Sequence, residues 1–173
     1  MFEGWGEFFL LVGSSAAVLI GLIFVVISLL QDRSRSTVLT GSRLYMGPIV
    51  LGVSFVLVLS AAALTKGMDR QTFAAISTVV AAWGLVRGIM SIVGIRGLTG
   101  EDKAHWTDVW FYGVLPSALY IALGIVALAL WNDWQWELDG LAAVITGLLL
   151  CVIRNEWDLI TWIAPRHEGK GLQ

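Results

Sequence analysis

"FFLLVGSSAAVLIGLIFVVISLL", Phe8 to Leu30, runs without a single charged residue. A helix rises 1.5 Å per residue, so about 20 apolar residues cross the ~30 Å hydrocarbon core of a bilayer. Barrel strands alternate apolar and polar residues over about ten positions. This run is continuous, so it reads as a helix, which satisfies its backbone groups internally as hydrocarbon requires. The preceding "MFEGWGE" is acidic, whereas a cleaved leader opens with basic residues, so the run is expected to remain as an uncleaved first span.

Working outward, comparable runs recur along the chain. Helices are expected at Glu7 to Leu30, Leu44 to Leu64, Thr72 to Ile95, Val109 to Leu130 and Leu138 to Ile163. The composition agrees: 57% of the residues are hydrophobic and 14% charged, against about a quarter charged in soluble domains. Five spans nearly exhaust 173 residues. The expected fold is therefore all-α, a polytopic bundle of five transmembrane helices forming one domain from Met1 to Gln173.

Short basic loops stay on the cytoplasmic side. Arg33, Arg35, Arg43, Arg96, Lys103, Arg166 and Lys170 fall in the first connection, the third connection and the tail, while only Lys66 and Arg70 fall on the other side. That asymmetry predicts the N-terminus outside and the C-terminus inside. Trp131, Trp134 and Trp136, with Trp5, mark one interfacial belt, and Trp106, Trp110, Trp157 and Trp162 mark the other. The stretch "WNDWQW" has an alternative use as an aromatic binding platform, and Asn132, Asp133, Glu137 and Asp139 make its loop acidic.

Polar residues inside the spans demand partners. Arg87 falls only ~4 to 6 Å inward of the midplane of the third span, where an unpaired arginine is costly. The fifth span carries Arg154, Asn155, Glu156 and Asp158 in "CVIRNEWDLITW". Arg87 snorkelling inward reaches the level of Glu156 or Asp158, and Arg154 stands four residues before Asp158 on one helical face. We expect these five residues to form a polar cluster in the cytoplasmic half. Two other readings stay open: headgroup capping of the fifth span with Arg87 reaching lipid phosphate alone, and an ion or proton pathway.

Small residues mark packing faces. Gly13, Ala17 and Gly21 recur every fourth position in the first span, and Gly84 and Gly88 do so in the third, a spacing that lets helix backbones approach. Pro48 lies in the first turns of the second span, where its missing N–H costs little. Pro116 lies well inside the fourth, where it predicts a kink that frees the carbonyl of residue 112.

Several chemistries are not expected. The net charge is −2 with no long basic block, so nucleic acid is not a partner. Cys151 is the sole cysteine, which leaves no intrachain disulfide and no cysteine-based metal knuckle. His105 and His167 lie in the flanks, so no in-membrane haem pair or Ser/His hydrolase can form. His105 with Asp108, and His167 with Glu168, are poor metal sets. Neither a phosphate-binding glycine loop nor an inverted repeat is evident. No cofactor, metal or catalytic residue is expected.

The stretches "EFFLLVGSSAAVLIGLIFVVISL", "VLVLSAAAL" and "RNEWDLITW", with Gly21, Asn155 and Trp157, resemble a broad group of small bacterial five-span proteins, some labelled modulators of a membrane protease. The resemblance implies a bacterial inner membrane and no known chemistry. Two functions are expected to compete. One is a non-enzymatic protein acting by helix association, as accessory subunit, modulator or homo-oligomeric scaffold, with the small residues as contacts. The other is an oligomeric channel or carrier with the acidic loop as cation funnel and the charged cluster as gate.

Overall fold

The computed structural model describes residues 2–29, 46–97 and 106–163. They form five helices: α1 (Gly6–Leu29), α2 (Gly47–Leu64), α3 (Arg70–Arg96), α4 (Trp106–Trp131) and α5 (Glu137–Ile163). The expected ends at Leu30 and Leu44 lie outside the described residues; the other expected ends fall within a turn of those observed. Gly6–Val25 within α1, together with α2, α3 and α4, is long and apolar enough to cross a membrane. At 27 residues α5 has the length, about 40 Å, but Arg154, Asn155, Glu156 and Asp158 interrupt its apolar character.

The connections are short and locally specified. Gly67, at φ +75°, takes the left-handed conformation that turns the chain between α2 and α3. Asp69 then caps α3, its carboxylate accepting the Thr72 N–H at 2.9 Å. Between α4 and α5, the Trp134 N–H reaches back to the Ala129 carbonyl at 3.1 Å, and Asp133 stands at φ +57°, a conformation that aspartate tolerates better than most residues.

Packing is uneven around the bundle. The broadest interfaces are α3 on α4 and α1 on α2; α5 leans on α4 and α2 and less on α1, and α2 also meets α3. α3 and α5 at most graze each other, because α4 and α2 stand between them. Phe9, Val53, Val56, Leu59, Phe73, Leu123, Leu130, Leu141 and Ile145 are fully buried. At the end where α1 begins, the Phe2 ring meets Phe9 and Phe73 edge to face, with centroids 5.3 and 4.7 Å apart.

Apolar contact adds little driving force between helices in lipid, so close approach matters. A Cβ on Gly84 would overlap the ring of Tyr120, and one on Gly88 would overlap the Ser117 hydroxyl. On the α1–α2 side, a Cβ on Gly13 would stand 3.0 Å from the Ser60 Cβ. Gly13, Gly84 and Gly88 therefore serve contacts within this chain. Ala17 and Gly21 face outward, and a Cβ on Gly21 would meet nothing within 4 Å.

Candidate functional site

The site begins with Pro116. Its ring carries no N–H and clashes with a normal α-helical turn before it. α4 answers with a wide π turn over Trp110–Val114, in which the Leu115 N–H bonds to the Trp110 carbonyl, five residues back. In that register the carbonyl that Pro116 leaves without a donor is that of Phe111, not that of residue 112 as α-helical spacing predicts. The expected kink thus takes the form of a π turn, a device common at functional sites.

The orphaned carbonyl is met from α5. Asn155 Nδ2 donates to the Phe111 carbonyl at 2.9 Å, and the Cys151 thiol lies 3.8 Å from the same oxygen. The Tyr112 hydroxyl stands 3.1 Å from both the Asn155 carbonyl and Asp158 Oδ2. Arg154 lies over the Phe111 ring, its guanidinium carbon 3.5 Å from the centroid, a cation–π arrangement. It also donates to Asn155 Oδ1 at 3.2 Å and faces Asp158 Oδ2 at 3.9 Å. Tyr112, Phe111, Arg154, Asn155 and Asp158 form one network that locks α5 to the wide turn of α4.

Two of the five expected cluster members stand apart. Arg87 is half-buried on α3 and makes no ion pair with any described residue. The expected pairing with Glu156 or Asp158 is corrected by helix order: α4 and α2 separate α3 from α5. Depth along the membrane normal is the same for many residues that are not neighbours. Glu156 is 3% exposed, and neither carboxyl oxygen has a hydrogen-bond partner. It turns away from the network, since it stands 100° round the helix from Asn155.

A second polar lock, at the opposite end, was not anticipated. Arg70, the first residue of α3, pairs with Asp133 in the α4–α5 turn and with Glu137 Oε2 at 2.8 Å. The Glu137 side chain is only 6% exposed. The sequence held the signal, a lone arginine in one short connection and two acids in another. The acidic turn is thereby partly neutralised from within the chain.

Apart from Trp83, which is exposed midway along α3, the described tryptophans gather at the two ends. Trp131, Trp134 and Trp136 are exposed around the α4–α5 turn, the last two with ring centroids 5.7 Å apart. Trp106, Trp110 and Trp157 are exposed at the opposite end, and Trp5 is half-buried against Phe8. His105, His167, Glu168 and the side chain of Trp162 lie outside the described residues. Among the described residues, no three His, Cys, Asp or Glu side chains gather as a metal site. No family model, curated protein or solved structure matches the chain.

Proposed function

We propose that the protein works in the bilayer by helix association rather than by catalysis, as an accessory subunit, modulator or oligomeric scaffold. In this reading all five helices cross a bacterial inner membrane, with the N-terminus outside and the C-terminus inside. The loop distribution of Lys and Arg and the tryptophans at both ends support that topology. The resemblance to small five-span bacterial proteins, some labelled modulators of a membrane protease, supports the membrane and the modulator reading.

One observation carries the association. α1 is joined to the bundle mainly along α2, and its outer face presents Ala17 and Gly21 one turn apart, with Val18 and Leu22 exposed to one side of them. Such a pair of small residues lets the backbone of another transmembrane helix approach, and Gly13, Gly84 and Gly88, engaged within the chain, leave it as the small-residue pair turned outward. The occupant is a membrane helix, from a second copy or from a different protein. A channel with an acidic funnel finds less support, because Asp133 and Glu137 are already held by Arg70.

The test places single cysteines at Gly21 and, as a control, at exposed Val79 on α3, in a Cys151→Ala background. Oxidative crosslinking in native membranes is expected at position 21 and not at 79, to a homodimer or to a heavier adduct according to the occupant. Gly21→Leu is expected to weaken association several-fold. Equal crosslinking at both positions, or unchanged association in Gly21→Leu, overturns the reading. Cysteine labelling from either side of the membrane tests the topology separately.

A further inference from the structure

Glu156 stands out among the acids of the described residues. Asp158 has Tyr112 and Arg154, and Glu137 has Arg70. Glu156 is more deeply buried than Asp158, yet both its oxygens lack a partner. Arg154 is two residues away, but it lies on the other side of the helix, held against the Phe111 ring. The chain thus holds an arginine close by and engages it elsewhere.

Among the described residues, the surroundings offer the carboxylate no counter-charge. α2, GPIVLGVSFVLVLSAAAL, contains no ionisable side chain. α1 carries only Glu7, in its first turn at the opposite end. From α4 the ionisable groups are Asp108, Tyr112 and Tyr120. Tyr112 is engaged with Asn155 and Asp158, and the Tyr120 hydroxyl lies near Gly52, 3.8 Å from where a Cβ would stand. On α5 itself the neighbours are Cys151, Arg154 and Asp158. An ionised carboxylate in such a setting is strongly disfavoured, and an isolated buried acid ordinarily takes a proton instead.

We propose that Glu156 is a membrane-embedded proton site, a buried carboxyl without hydrogen-bond partner that takes up and releases one proton. In uptake, an O–H bond forms on one Oε, hydronium is left as water, and no electron moves. Val152 abuts Gly52 of the antiparallel α2, so Glu156, one turn further on the same face, lies at the level of Pro48 and Ile49, where α2 offers only apolar side chains. A residue serving only to fill this space would be apolar, since a buried acid without partners does not stabilise a bundle.

Infrared spectroscopy of the full-length protein in bilayers tests the proposal. Wild type at neutral pH is expected to show a protonated-carboxyl C=O band that shifts in D2O, disappears on alkaline titration, and is lost in Glu156→Gln. Absence of any such band in wild type at neutral pH overturns the proposal, as does a band that never shifts in D2O. A band removed at fixed pH by sodium, potassium or magnesium ions would replace the proton with a metal cation and also overturn it. A band retained in Glu156→Gln overturns the proposal too, and where that variant fails to fold, loss of the band in Glu137→Gln, which removes the other buried acid, overturns it instead. The outcome is independent of crosslinking at Gly21.

Discussion

Asn155 on α5 donates its side-chain amide to the main-chain carbonyl of Phe111 on α4 at 2.9 Å, filling the position that the missing N–H of Pro116 leaves vacant. Asn155 and Pro116 act as a pair although they do not need to touch. Asn155 is 3% exposed, so its loss leaves a buried acceptor unsatisfied. Asn155→Leu is expected to destabilise the protein by about 1–3 kcal/mol. Pro116→Ala restores an N–H to α4, so the Asn155→Leu penalty is expected to shrink in the Pro116→Ala background, a coupling that a double-mutant cycle of unfolding in detergent or bilayer measures.

Arg87→Leu is expected to leave the fold at least as stable as wild type. The guanidinium has no ionic partner among the described residues, and its removal from a span relieves an insertion cost of ~2.5 to 3.5 kcal/mol. Loss of more than about 1 kcal/mol in reversible unfolding would restore the buried-pair reading. Reciprocal charge exchange with Glu156 or Asp158 is expected to give no rescue, since α3 and α5 are not packed together.

The glycines separate into two classes that substitution distinguishes. Gly84→Ala forces a methyl group into the Tyr120 ring, and overpacking of this kind costs about 1–3 kcal/mol. Gly88→Ala meets the Ser117 hydroxyl, which is held by its hydrogen bond to the Gly113 carbonyl at 2.7 Å, so its cost is expected to be comparable. Gly21→Ala meets open space within the chain and is expected to leave monomer stability unchanged. Thermal unfolding of the three variants side by side checks the order.

At the other end, Arg70→Leu strands Glu137, whose side chain is 6% exposed. Breaking one side of a pair that is only partly buried is expected to cost about 1–3 kcal/mol. Glu137→Leu in the same chain is expected to recover most of that loss, because the orphaned acid is removed with its partner. A double variant no more stable than Arg70→Leu alone would show that Asp133, not Glu137, carries the contact.

The cap of α3 is sensitive to acid. Hydrogen bonds from the Thr72 side chain and backbone hold the Asp69 carboxyl below its usual value of 3.8. A lowered carboxyl pKa stabilises the folded chain fully above the unfolded value, and the contribution disappears as pH falls through the folded one. Fraying of the α3 start is therefore expected only below about pH 3.8. Hydrogen exchange at Thr72 reads this directly, and Asp69→Asn is expected to flatten the dependence.

The helices were legible because each is a continuous apolar run, and the grouping of Arg154, Asn155 and Asp158 was legible because polarity in such a run is conspicuous. Their true partner was not, since Tyr112 bears no charge and reads as one more interfacial aromatic. Pro116 located the disturbance in α4, but α-helical counting placed the free carbonyl one residue late, because the wide turn changes the spacing from four to five. Arg87 was misassigned for a different reason. Sequence gives a residue's depth in the membrane, whereas pairing also needs the lateral order of the helices, which hydropathy does not encode. Arg70 was weighed only as a loop charge, and its contact with Asp133 and Glu137 depends on two turns meeting in space.

The π turn holds one residue more than an ordinary helix would over the same rise. Excising Gly113 or Val114 would let the segment close into regular geometry while the residues on either side keep nearly their azimuth. Phe111 would then stand four residues before the proline, and its carbonyl would still be the one left without a donor. A one-codon deletion in this short window would thus be absorbed by the turn, whereas the same deletion elsewhere in α4 would rotate everything upstream by about 100° around the axis.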